Sequence, residues 1–389
     1  MGQLSGMRRD AHEHATLMLD RLAELVACES PPGSVPHLKS CGDLLAGWGE
    51  AILGRTAQWI VRDELPHLLW PAQDQRVLLL GHYDTVWPAG TIEHWPLTVI
   101  DGIASGPGVC DMKAGIVQMF TALSLMADTS RIGVLLTCDE ESGSVTSREL
   151  IEDQARRSGA VLVCEPSSPD GSLKVARKGG SAYRLMVRGR AAHAGVEPHK
   201  GINATIEVAH QILAVQTLAE ASAGTSVTPT VIAGGTTSNT VPEAASVCID
   251  VRSWTRDELD RVDLAIRGLT PQLPEAVLTL GGGINRYPLL PEVALALLEM
   301  AQAAAVDLGV PPPEGAHAPG ASDGNFTGAL GVPTLDGLGA VGGGSHARSE
   351  YADVTMMPDR AALLAALMGR LVADPPSGPS GPRTSPARR

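Results

Sequence analysis

The sequence predicts an α/β fold in which a main domain, with a mostly parallel central sheet flanked by helices, carries an inserted ferredoxin-like α+β domain. In the first half of the chain, apolar strand-like runs alternate with helical stretches, which is typical of βαβ units around a parallel sheet. After about Gly179 the order changes to strand–helix–strand–strand–helix–strand, as in ferredoxin-like domains. Beyond Pro288 the α/β pattern resumes. The second domain is therefore predicted to interrupt the first.

The elements of the main domain follow from hydrophobic periodicity. Residues 11–27 alternate apolar and charged positions at helical spacing, which predicts an amphipathic helix. Strands are predicted at 76–81, 132–138 and 160–164, with helices at 111–127, 147–157, 291–308 and 358–373. The main domain is therefore expected to comprise residues 1–178 and 288–374.

The inserted domain is expected to comprise residues 179–287, and about a hundred residues suffice for an independent domain. Its predicted strands lie at 181–188, 227–233, 246–253 and 276–280, and its predicted helices at 203–218 and 255–268. The Pro/Gly/Ser-rich tail at 375–389 is predicted to be disordered.

The composition limits the class of protein. Of the 389 residues, 44% are hydrophobic and 19% are charged, as in ordinary folded proteins. Aromatic residues make up only 3%, and the formal net charge is −13. The chain therefore has neither the stacking platform nor the basic face that nucleic-acid binding needs. No apolar run approaches the length of a membrane span, so neither a nucleic acid nor a membrane is predicted as a partner.

The N-terminal segment and the cysteines predict a cytoplasmic protein. The N-terminal segment lacks the uninterrupted apolar stretch of a secretory signal. The six cysteines are scattered without CxxC spacing, as expected for buried thiols in a reducing compartment. Cys110, Cys138 and Cys164 each lie within three residues of a candidate metal ligand, so they are either ligands themselves or buried residues at strand ends.

Five residues of the metal-ligand type sit in small-residue turns at the ends of apolar runs: His82, Asp111, Glu141, Glu165 and His346. In parallel sheets, ligands bind beyond the carboxyl ends of the strands, where His82, Glu141 and Glu165 are predicted to lie. Glu140 precedes Glu141, and neighbours on an extended backbone point to opposite sides. One carboxylate could then bind a metal while the other moves a proton. The pattern predicts metal-assisted hydrolysis.

An ordered set of motifs resembles that of the co-catalytic zinc peptidases, the superfamily that includes glutamate carboxypeptidase (carboxypeptidase G type), aminoacylase and succinyl-diaminopimelate desuccinylase. The motifs span most of the chain, and a single one of them would mean little. They are GHYDTV (81–86), GPGVCDMKAG (106–115), CDEESGS (138–144), CEP (164–166), RAAHAG (190–195) and GGGSHARSEY (342–351). One departure is Ala114, where glycine is common, and an extra methyl group there should not harm the site.

The resemblance implies two zinc ions per subunit, with cobalt or manganese as alternatives. His82 and Glu165 would complete the ligands of one ion, and Glu141 and His346 those of the other. Asp111 would bridge both ions with one carboxylate oxygen on each. Ligands drawn from distant segments are typical of an open catalytic site rather than a local structural one.

The resemblance also implies two catalytic carboxylates. Asp84 would accept the second ring N–H of His82 and so fix its tautomer. Glu140 would act as the general base, taking a proton from a water held by the metals to form hydroxide. It would then hand that proton to the leaving amine.

In the inserted domain, His193 resembles a histidine that reaches across a dimer to polarise the scissile carbonyl. Asn239 and Arg252 match positions that bind the substrate carbonyl and its terminal carboxylate. The expected assembly is a homodimer through this domain, which would also act as a lid. Lys178 and His199 lie nearby with weaker claims. The glycine runs at 281–283 and 342–344 do not open a helix after a strand, so they are not predicted to bind phosphate.

The leading hypothesis is a glutamate carboxypeptidase-like hydrolase that cleaves an amide bond next to a free carboxylate, in a small molecule or short peptide. Within the superfamily, glutamate at position 165 goes with carboxypeptidases and deacylases rather than with aminopeptidases. An N-acyl amino acid deacylase of the aminoacylase type would use the same residues. A non-catalytic binding relative is the third possibility, and such a protein is expected to have lost Glu140 or a ligand.

Overall fold

The structure is a computed structural model that describes residues 2–373, so the predicted disordered tail at 375–389 lies outside the described residues. Within the described range the chain forms ten α-helices. They are α1 (Gly2–Glu13), α2 (Ala15–Ala27), α3 (Val35–Leu53), α4 (Ala114–Ser124), α5 (Arg148–Arg156), α6 (Ala204–Gln216), α7 (Arg256–Arg267), α8 (Leu295–Leu308), α9 (Gly324–Ala329) and α10 (Met357–Ala373).

The same residues, 2–373, form eighteen β-strands, several of them only two or three residues long. They are β1 (Gln58–Arg62), β2 (Leu65–Trp70), β3 (Val77–His82), β4 (Thr98–Ile100), β5 (Ile103–Ser105), β6 (Ile132–Thr137), β7 (Ala160–Val163), β8 (Leu173–Arg177), β9 (Gly179–Arg188), β10 (Ala192–His193), β11 (Ser226–Gly234), β12 (Thr240–Val241), β13 (Ala244–Ser253), β14 (Val277–Arg286), β15 (Gly315–Ala318), β16 (Thr334–Leu335), β17 (Gly342–Gly343) and β18 (Tyr351–Asp353).

The described residues divide into two compact units. The first comprises the chain up to Ala176, Leu289–His317 and the residues from Ser322 onward. The second comprises Arg177–Pro288 together with Ala318–Ala321.

The first unit is built on a six-stranded mixed sheet in the order β1-β2-β6-β3-β7-β16. The neighbours β6, β3, β7 and β16 run parallel, whereas β1 and β2 add an antiparallel hairpin at one edge. β3 and β6 are buried along their whole length, as expected for strands covered on both faces. The predicted α/β class with parallel strands at its centre is therefore correct.

Helices cover both faces of this sheet. Val77 and Leu79 of β3 belong to a core that includes residues of α2, α3, α4, α8 and α10. Their neighbours Leu78 and Leu80 belong to a separate core that includes residues of α5 and α9. Since successive side chains of a strand point to opposite faces, the two cores lie on opposite sides of the sheet. A second, antiparallel sheet of this unit has the order β17-β18-β5-β4.

The second unit contains a four-stranded antiparallel sheet in the order β11-β13-β9-β14. Burial alternates along β9 from Ser181 to Arg188, because one face packs in a core with residues of α6 and α7 and the other is exposed. The short strands β10 and β12 form a separate two-stranded ribbon.

Several predicted elements differ from the observed ones. The single helix expected at 11–27 is two helices, α1 and α2, separated at His14. The helix expected from 111 begins at Ala114, because Asp111 and Met112 have non-helical backbone angles. The β1–β2 hairpin and the β17-β18-β5-β4 sheet have no counterpart in the prediction. The strand β1 is largely exposed without clear alternation, and the strands of the second sheet are only two or three residues long, so periodicity does not reveal them.

Candidate metal centre

Three adjacent parallel strands bring candidate ligands together beyond their carboxyl ends. His82 is the last residue of β3, Glu165 follows the end of β7 by two residues, and Glu141 lies in the turn after β6. Because β6, β3 and β7 are neighbours with the same direction, their carboxyl ends lie side by side. The α/β sheets of other proteins bind their ligands in the same place, beyond the carboxyl ends of the strands.

His82, Asp111 and Glu165 form the first cluster of potential metal ligands. His82 Nε2 lies 3.2 Å from Asp111 Oδ1 and 3.3 Å from Glu165 Oε1. The His82 ring is buried, and the side chain of Glu165 is only 9% exposed. The three donor groups therefore meet in a site largely shielded from water.

Asp111, Glu141 and His346 form the second cluster. His346 Nε2 lies 3.1 Å from Glu141 Oε2 and 3.6 Å from Asp111 Oδ2. The two carboxylate oxygens of Asp111 thus face different histidines, Oδ1 toward His82 and Oδ2 toward His346. A carboxylate needs this arrangement to bind two ions at once.

Irregular backbone positions the two ligands that do not follow a parallel strand. Asp111 has extended backbone angles (φ −113°, ψ 96°) ahead of α4, and its peptide bond to Met112 is cis. His346 has a left-handed φ of 65°, and its side chain is 54% exposed. A non-glycine residue in the left-handed region costs about 1–3 kcal/mol, and such residues cluster at functional sites. Because the His346 side chain is exposed, the second cluster is the more open of the two.

The donor set fits a transition-metal ion. Ligand atoms about 2.0–2.2 Å from a tetrahedral ion lie about 3.3–3.6 Å from each other. Two of the four nitrogen–oxygen separations, 3.3 and 3.6 Å, fall within this range, and the other two, 3.1 and 3.2 Å, lie just below it. Among the described residues, Glu141 Oε1 is buried without a hydrogen-bond partner. A bound cation would satisfy that oxygen.

No cysteine belongs to either cluster of potential ligands in the described part of the chain. Cys110, Cys138 and Cys164 are free thiols and fully buried. Burial raises the pKa of each thiol above its usual range, which disfavours the thiolate form that binds metals. These three cysteines are packing residues at the ends of strands and turns.

The ionisable groups of the two clusters shift one another's pKa values. Burial lowers the pKa of His82. The hydrogen bonds of His82 with Asp111, Asp84 and Glu165 outweigh this effect and hold the pKa well above its usual range. The hydrogen bond with Glu141 raises the pKa of His346 to about 9. Burial raises the pKa of the Glu141 carboxyl more than His346 lowers it. Protons on the histidines therefore offset the carboxylates, and a cation could take over this role.

Asp84 organises the turn that carries the two glutamates. Its carboxylate accepts hydrogen bonds from the backbone N–H groups of Glu140 and Glu141, at 3.3 and 3.1 Å. His82 Nδ1 lies 3.0 Å from the Asp84 carbonyl oxygen and 3.4 Å from its carboxylate, so the carbonyl is the nearer acceptor. Asp84 thus contacts both the ligand and the glutamate turn.

The expectation that Glu140 and Glu141 lie on extended backbone is wrong. They begin a turn of 3₁₀-helix, residues 140–142, which tightens the chain after β6. With about three residues per turn, neighbouring side chains still diverge by about 120°. Glu141 can therefore face His346 while Glu140 projects elsewhere, half-buried, with its charge close enough to raise the pKa of His346 further.

Sequence reasoning missed Glu350, which is fully buried at this centre. Its carboxylate accepts hydrogen bonds from the backbone N–H groups of Cys110 and Asp111, at 2.9 and 3.0 Å. Its position in GGGSHARSEY, four residues after His346, was the signal that could have indicated a role.

The second unit brings together two of its three main candidates. His193 pairs with Thr240 across the β10–β12 ribbon, and the Asn239 carbonyl accepts the N–H of Ala194. The ring Nδ1 of His193 accepts the N–H groups of Gly195 and Val196, at 3.2 and 3.1 Å. A neutral His193 ring must therefore carry its proton on Nε2.

Arg252 lies on a different strand, β13, where its Nε and Nη2 donate to the carboxylate of Asp250. Lys178 donates to the Gly224 carbonyl at 2.5 Å, and its ammonium lies 5.4 Å from the centre of the Trp254 ring. His199 is exposed in a short turn, residues 198–200. The contacts of Lys178 and His199 add nothing to their claims as site residues.

No helix among residues 2–373 combines the length and the apolar character needed to cross a lipid bilayer.

Two histidine–carboxylate clusters lie beyond the carboxyl ends of the parallel strands, and this arrangement is that of a metal-dependent hydrolase. The sequence matches peptidase family M20/M25/M40 over residues 78–370. The chain belongs to this family, as its motifs indicated, and is an enzyme of the metallopeptidase/amidohydrolase type. The family is metal-dependent and acts on peptides or small molecules.

Two relatives illustrate the range within the family. The chain is 28% identical over 381 residues to carboxypeptidase G2 of Pseudomonas sp. (strain RS-16), a match that covers 92% of this chain and 90% of that protein. It is 27% identical over 283 residues to succinyl-diaminopimelate desuccinylase 2 of Shewanella loihica, covering 66% and 74% respectively.

Solved structures share the fold. The Saccharomyces cerevisiae dipeptidase Dug1p matches with a TM-score of 0.72 at 14% identity, over 96% of this chain and all of that one (100%). A tripeptidase of Staphylococcus aureus matches with a TM-score of 0.71 at 19% identity, over 92% and 99%. At such identities the likeness concerns the fold alone.

Proposed function

We propose that this enzyme is a glutamate carboxypeptidase-like hydrolase, which cleaves an amide bond next to a free carboxylate with Glu140 as general base. The observation that carries the proposal is the shared position of Asp111, whose two oxygens lie 3.2 Å from His82 and 3.6 Å from His346. The match to carboxypeptidase G2 over 92% of the chain supports this activity.

Two divalent ions are proposed to bind here, zinc in the first instance, with cobalt or manganese as alternatives. His82 and Glu165 would hold one ion, Glu141 and His346 the other, and Asp111 both. When bound, such ions lower the pKa of water and polarise a carbonyl group.

Glu140 is proposed to move the proton. Its half-buried carboxylate would take a proton from the attacking water and deliver it to the nitrogen of the leaving amine. The Asp84 carboxylate, through the N–H groups of Glu140 and Glu141, would keep base and ligand in fixed relation. Asp84 would also orient His82, through its carbonyl as the nearer acceptor and its carboxylate as the further one.

Three residues of the second unit are proposed to recognise the substrate. His193 would donate from Nε2 to the oxygen of the scissile carbonyl. Its Nδ1 already accepts two backbone N–H groups, which supports a proton on Nε2. Asn239, on the same ribbon, would bind the substrate carbonyl group. Arg252 would bind the free carboxylate, for which its planar guanidinium is suited, in exchange for part of its contact with Asp250.

The second unit is proposed to be a ferredoxin-like dimerisation and lid domain, and the first to be the catalytic domain. The strand order β11-β13-β9-β14 with two helices on one face supports the first part. The edge strand β11 exposes Val231 and Ile232 (61% and 62%), and α6, which packs against β11, exposes Leu213 (64%). A second copy of this chain would cover that apolar strip. In such a homodimer, His193 would serve the partner's site.

A cytoplasmic location is proposed as well. All six cysteines are free thiols, and three of them are fully buried next to the candidate ligands, which suits a reducing compartment.

An N-acyl amino acid deacylase is the second candidate, and the desuccinylase relatives favour it. The same ligands and general base would serve both reactions, so only the substrate pocket separates them. A non-catalytic binding relative is disfavoured, since Glu140 and all five candidate ligands are present.

The decisive experiment assays folyl- and peptidyl-glutamate beside N-acetyl and N-succinyl amino acids, with zinc supplied. The proposal expects the highest kcat/KM on a glutamate-terminated amide. Highest turnover on an N-acetyl or N-succinyl amino acid would instead establish the deacylase. Glu140→Gln should lower kcat by about 10²–10⁴-fold with metal content unchanged. Full activity in that variant would exclude the proposed base.

A further inference from the structure

Glu350 is a fully buried carboxylate that receives four hydrogen bonds at the candidate metal centre. Each of its oxygens accepts two of them. Oε1 accepts from the N–H groups of Cys110 (2.9 Å) and Asp111 (3.0 Å), and Oε2 from the N–H of Gly108 (3.1 Å) and the indole Nε1 of Trp87 (3.0 Å).

These bonds tie together three segments that are distant in the sequence. Trp87 belongs to the loop after β3, the backbone donors to residues 108–111, and Glu350 itself to the loop that carries His346. The Glu350 backbone is held in turn, because its carbonyl accepts from Ser105 Oγ at 3.0 Å and its N–H donates to Ala347 at 2.9 Å. Glu350 is therefore a fixed point between two ligand-bearing loops.

Asp111 depends on this support more than the ligands at the strand ends do. It lies outside α4 with extended backbone angles, so no helical bond fixes its N–H. Glu350 Oε1 accepts that N–H instead. Any rotation of the Asp111 peptide would displace the carboxylate that faces both His82 and His346.

An amide could not replace this carboxylate. Both oxygens accept two N–H groups each, and a glutamine would set its own NH₂ group against two of those donors. The position therefore calls for a side chain that accepts hydrogen bonds on both of its terminal atoms, which glutamate does and glutamine does not.

We infer that Glu350 is a positioning residue, which sets the distance between the shared carboxylate of Asp111 and the two histidines. It belongs to neither cluster of potential ligands in the described part of the chain and acts through the Asp111 backbone and the His346 loop. The inference rests on the proposed function in taking Asp111 as a ligand of both ions.

The test compares Glu350→Gln with Glu207→Gln in the full-length protein. Glu207 is an equally buried glutamate of the second unit, and its carboxylate accepts the N–H groups of Gln272 and Leu273. Both substitutions replace an oxygen by an NH₂ group next to backbone donors, so both should lower thermal stability. Only one of them lies beside the ligands.

Metal-free proteins are titrated with zinc and with Co²⁺, and affinity, stoichiometry and the visible absorption of Co²⁺ are recorded. In Glu350→Gln, affinity for the weaker of the two ions is expected to fall about 10–100-fold, with altered Co²⁺ absorption. Glu207→Gln should retain wild-type affinity and absorption. Trp87→Phe, which removes one donor of the four, should show a smaller loss than Glu350→Gln.

Wild-type affinity and Co²⁺ absorption in Glu350→Gln, alongside reduced stability, would overturn the inference and leave Glu350 a structural residue. A wild-type protein that binds one ion only would count against the paired site of the proposed function. The role of Glu350 would then be judged on that single ion, and an unchanged affinity in Glu350→Gln would again refute it.

Discussion

The carboxylate of Asp84 accepts the backbone N–H of Glu141 at 3.1 Å, so the loop after β3 directly holds the turn after β6. Asp84 is fully buried, and its other oxygen accepts the N–H of Glu140 at 3.3 Å. One side chain thus fixes both the proposed general base and a candidate ligand, while its carbonyl contacts His82. The position of both glutamates therefore depends on a single buried carboxylate.

Replacing Asp84 by asparagine should therefore impair both functions of the turn. The amide NH₂ group would face one of the two backbone N–H groups and leave it unsatisfied, at a cost of about 1–3 kcal/mol in stability. We expect kcat at saturating metal to fall about 10²-fold through misplacement of Glu140. Asp336→Asn, at another buried carboxylate that accepts from Ser322 Oγ, should cost stability but leave kcat at saturating metal unchanged. Normal kcat in Asp84→Asn would contradict the argument.

Metal binding should release protons at neutral pH. The hydrogen bond with Glu141 raises the pKa of His346 to about 9, so the ring is protonated at pH 7 before an ion binds. An ion binds only the neutral ring, so affinity should rise with pH up to about 9. Calorimetry at pH 7 in buffers of different ionisation enthalpy measures the protons released.

The control for this prediction is His346→Ala, which should release fewer protons per ion than the wild type. Equal release would show that His346 does not exchange its proton for a metal.

The stability of the metal-free protein should depend on pH in the opposite direction to metal affinity. Because the folded pKa of about 9 exceeds the unfolded value, about 6.5, the ion pair stabilises the metal-free fold fully below pH 6.5. That contribution is lost as the pH rises through 9.

Three of the five ligand candidates could be found from sequence because they follow recognisable strand ends, whereas Asp111 and His346 could be recognised only through their motifs. His82, Glu141 and Glu165 each end an apolar run, and parallel strands bring such ends together. Glu350 could not be found in this way, since its partners Cys110 and Asp111 are about 240 residues away and meet it only through tertiary packing.

Local periodicity also failed where packing overrides it. The apolar pattern around Asp111 predicts a helix, yet backbone N–H groups of residues 108–111 donate to the Glu350 carboxylate, which holds this segment in an irregular conformation. The hairpin β1–β2 has no counterpart in the prediction because its edge strand β1 is largely exposed and alternates only weakly.

Gly115→Ala should disturb the first cluster from behind. A Cβ at Gly115 would lie 2.1 Å from the backbone oxygen of Cys164, so α4 must move away from the residue before Glu165. We expect a loss of about 1–3 kcal/mol in unfolding free energy and weaker zinc binding. Denaturant titration and metal titration measure the two effects.

Gly47→Ala is the matched control within α3. Nothing lies within 4 Å of a Cβ at Gly47, so alanine should stabilise the helix by about 0.5–1 kcal/mol and leave zinc binding unchanged. Stability changes of the same sign in the two variants would contradict the close contact between α4 and the chain at Cys164.

Ile232→Lys should convert the proposed homodimer to monomers. The residue is 62% exposed on the edge strand β11, and a charge there cannot be buried against a second apolar copy. If His193 serves the partner's site, the monomer should retain metal but lose most of its kcat. Sedimentation and activity are measured together.

Leu264→Lys on α7 is the control for this charge. Leu264 is even more exposed, at 75%, but lies on α7, which packs against the opposite edge strand β14, whereas α6 packs against β11. It should leave assembly and activity unchanged. A wild type that sediments as a monomer, or an Ile232→Lys dimer, would refute the proposed interface.

The turn before β3 lies at the opposite end of this strand from His82, its last residue. Gln73 is exposed in that turn, and the six residues of β3 span about 20 Å from one end to the other. A linker attached at Gln73 could therefore tether the enzyme to a solid support with the candidate ligands turned away from the support. An immobilised catalyst made in this way would keep its chemistry and its anchor at opposite ends of the same strand.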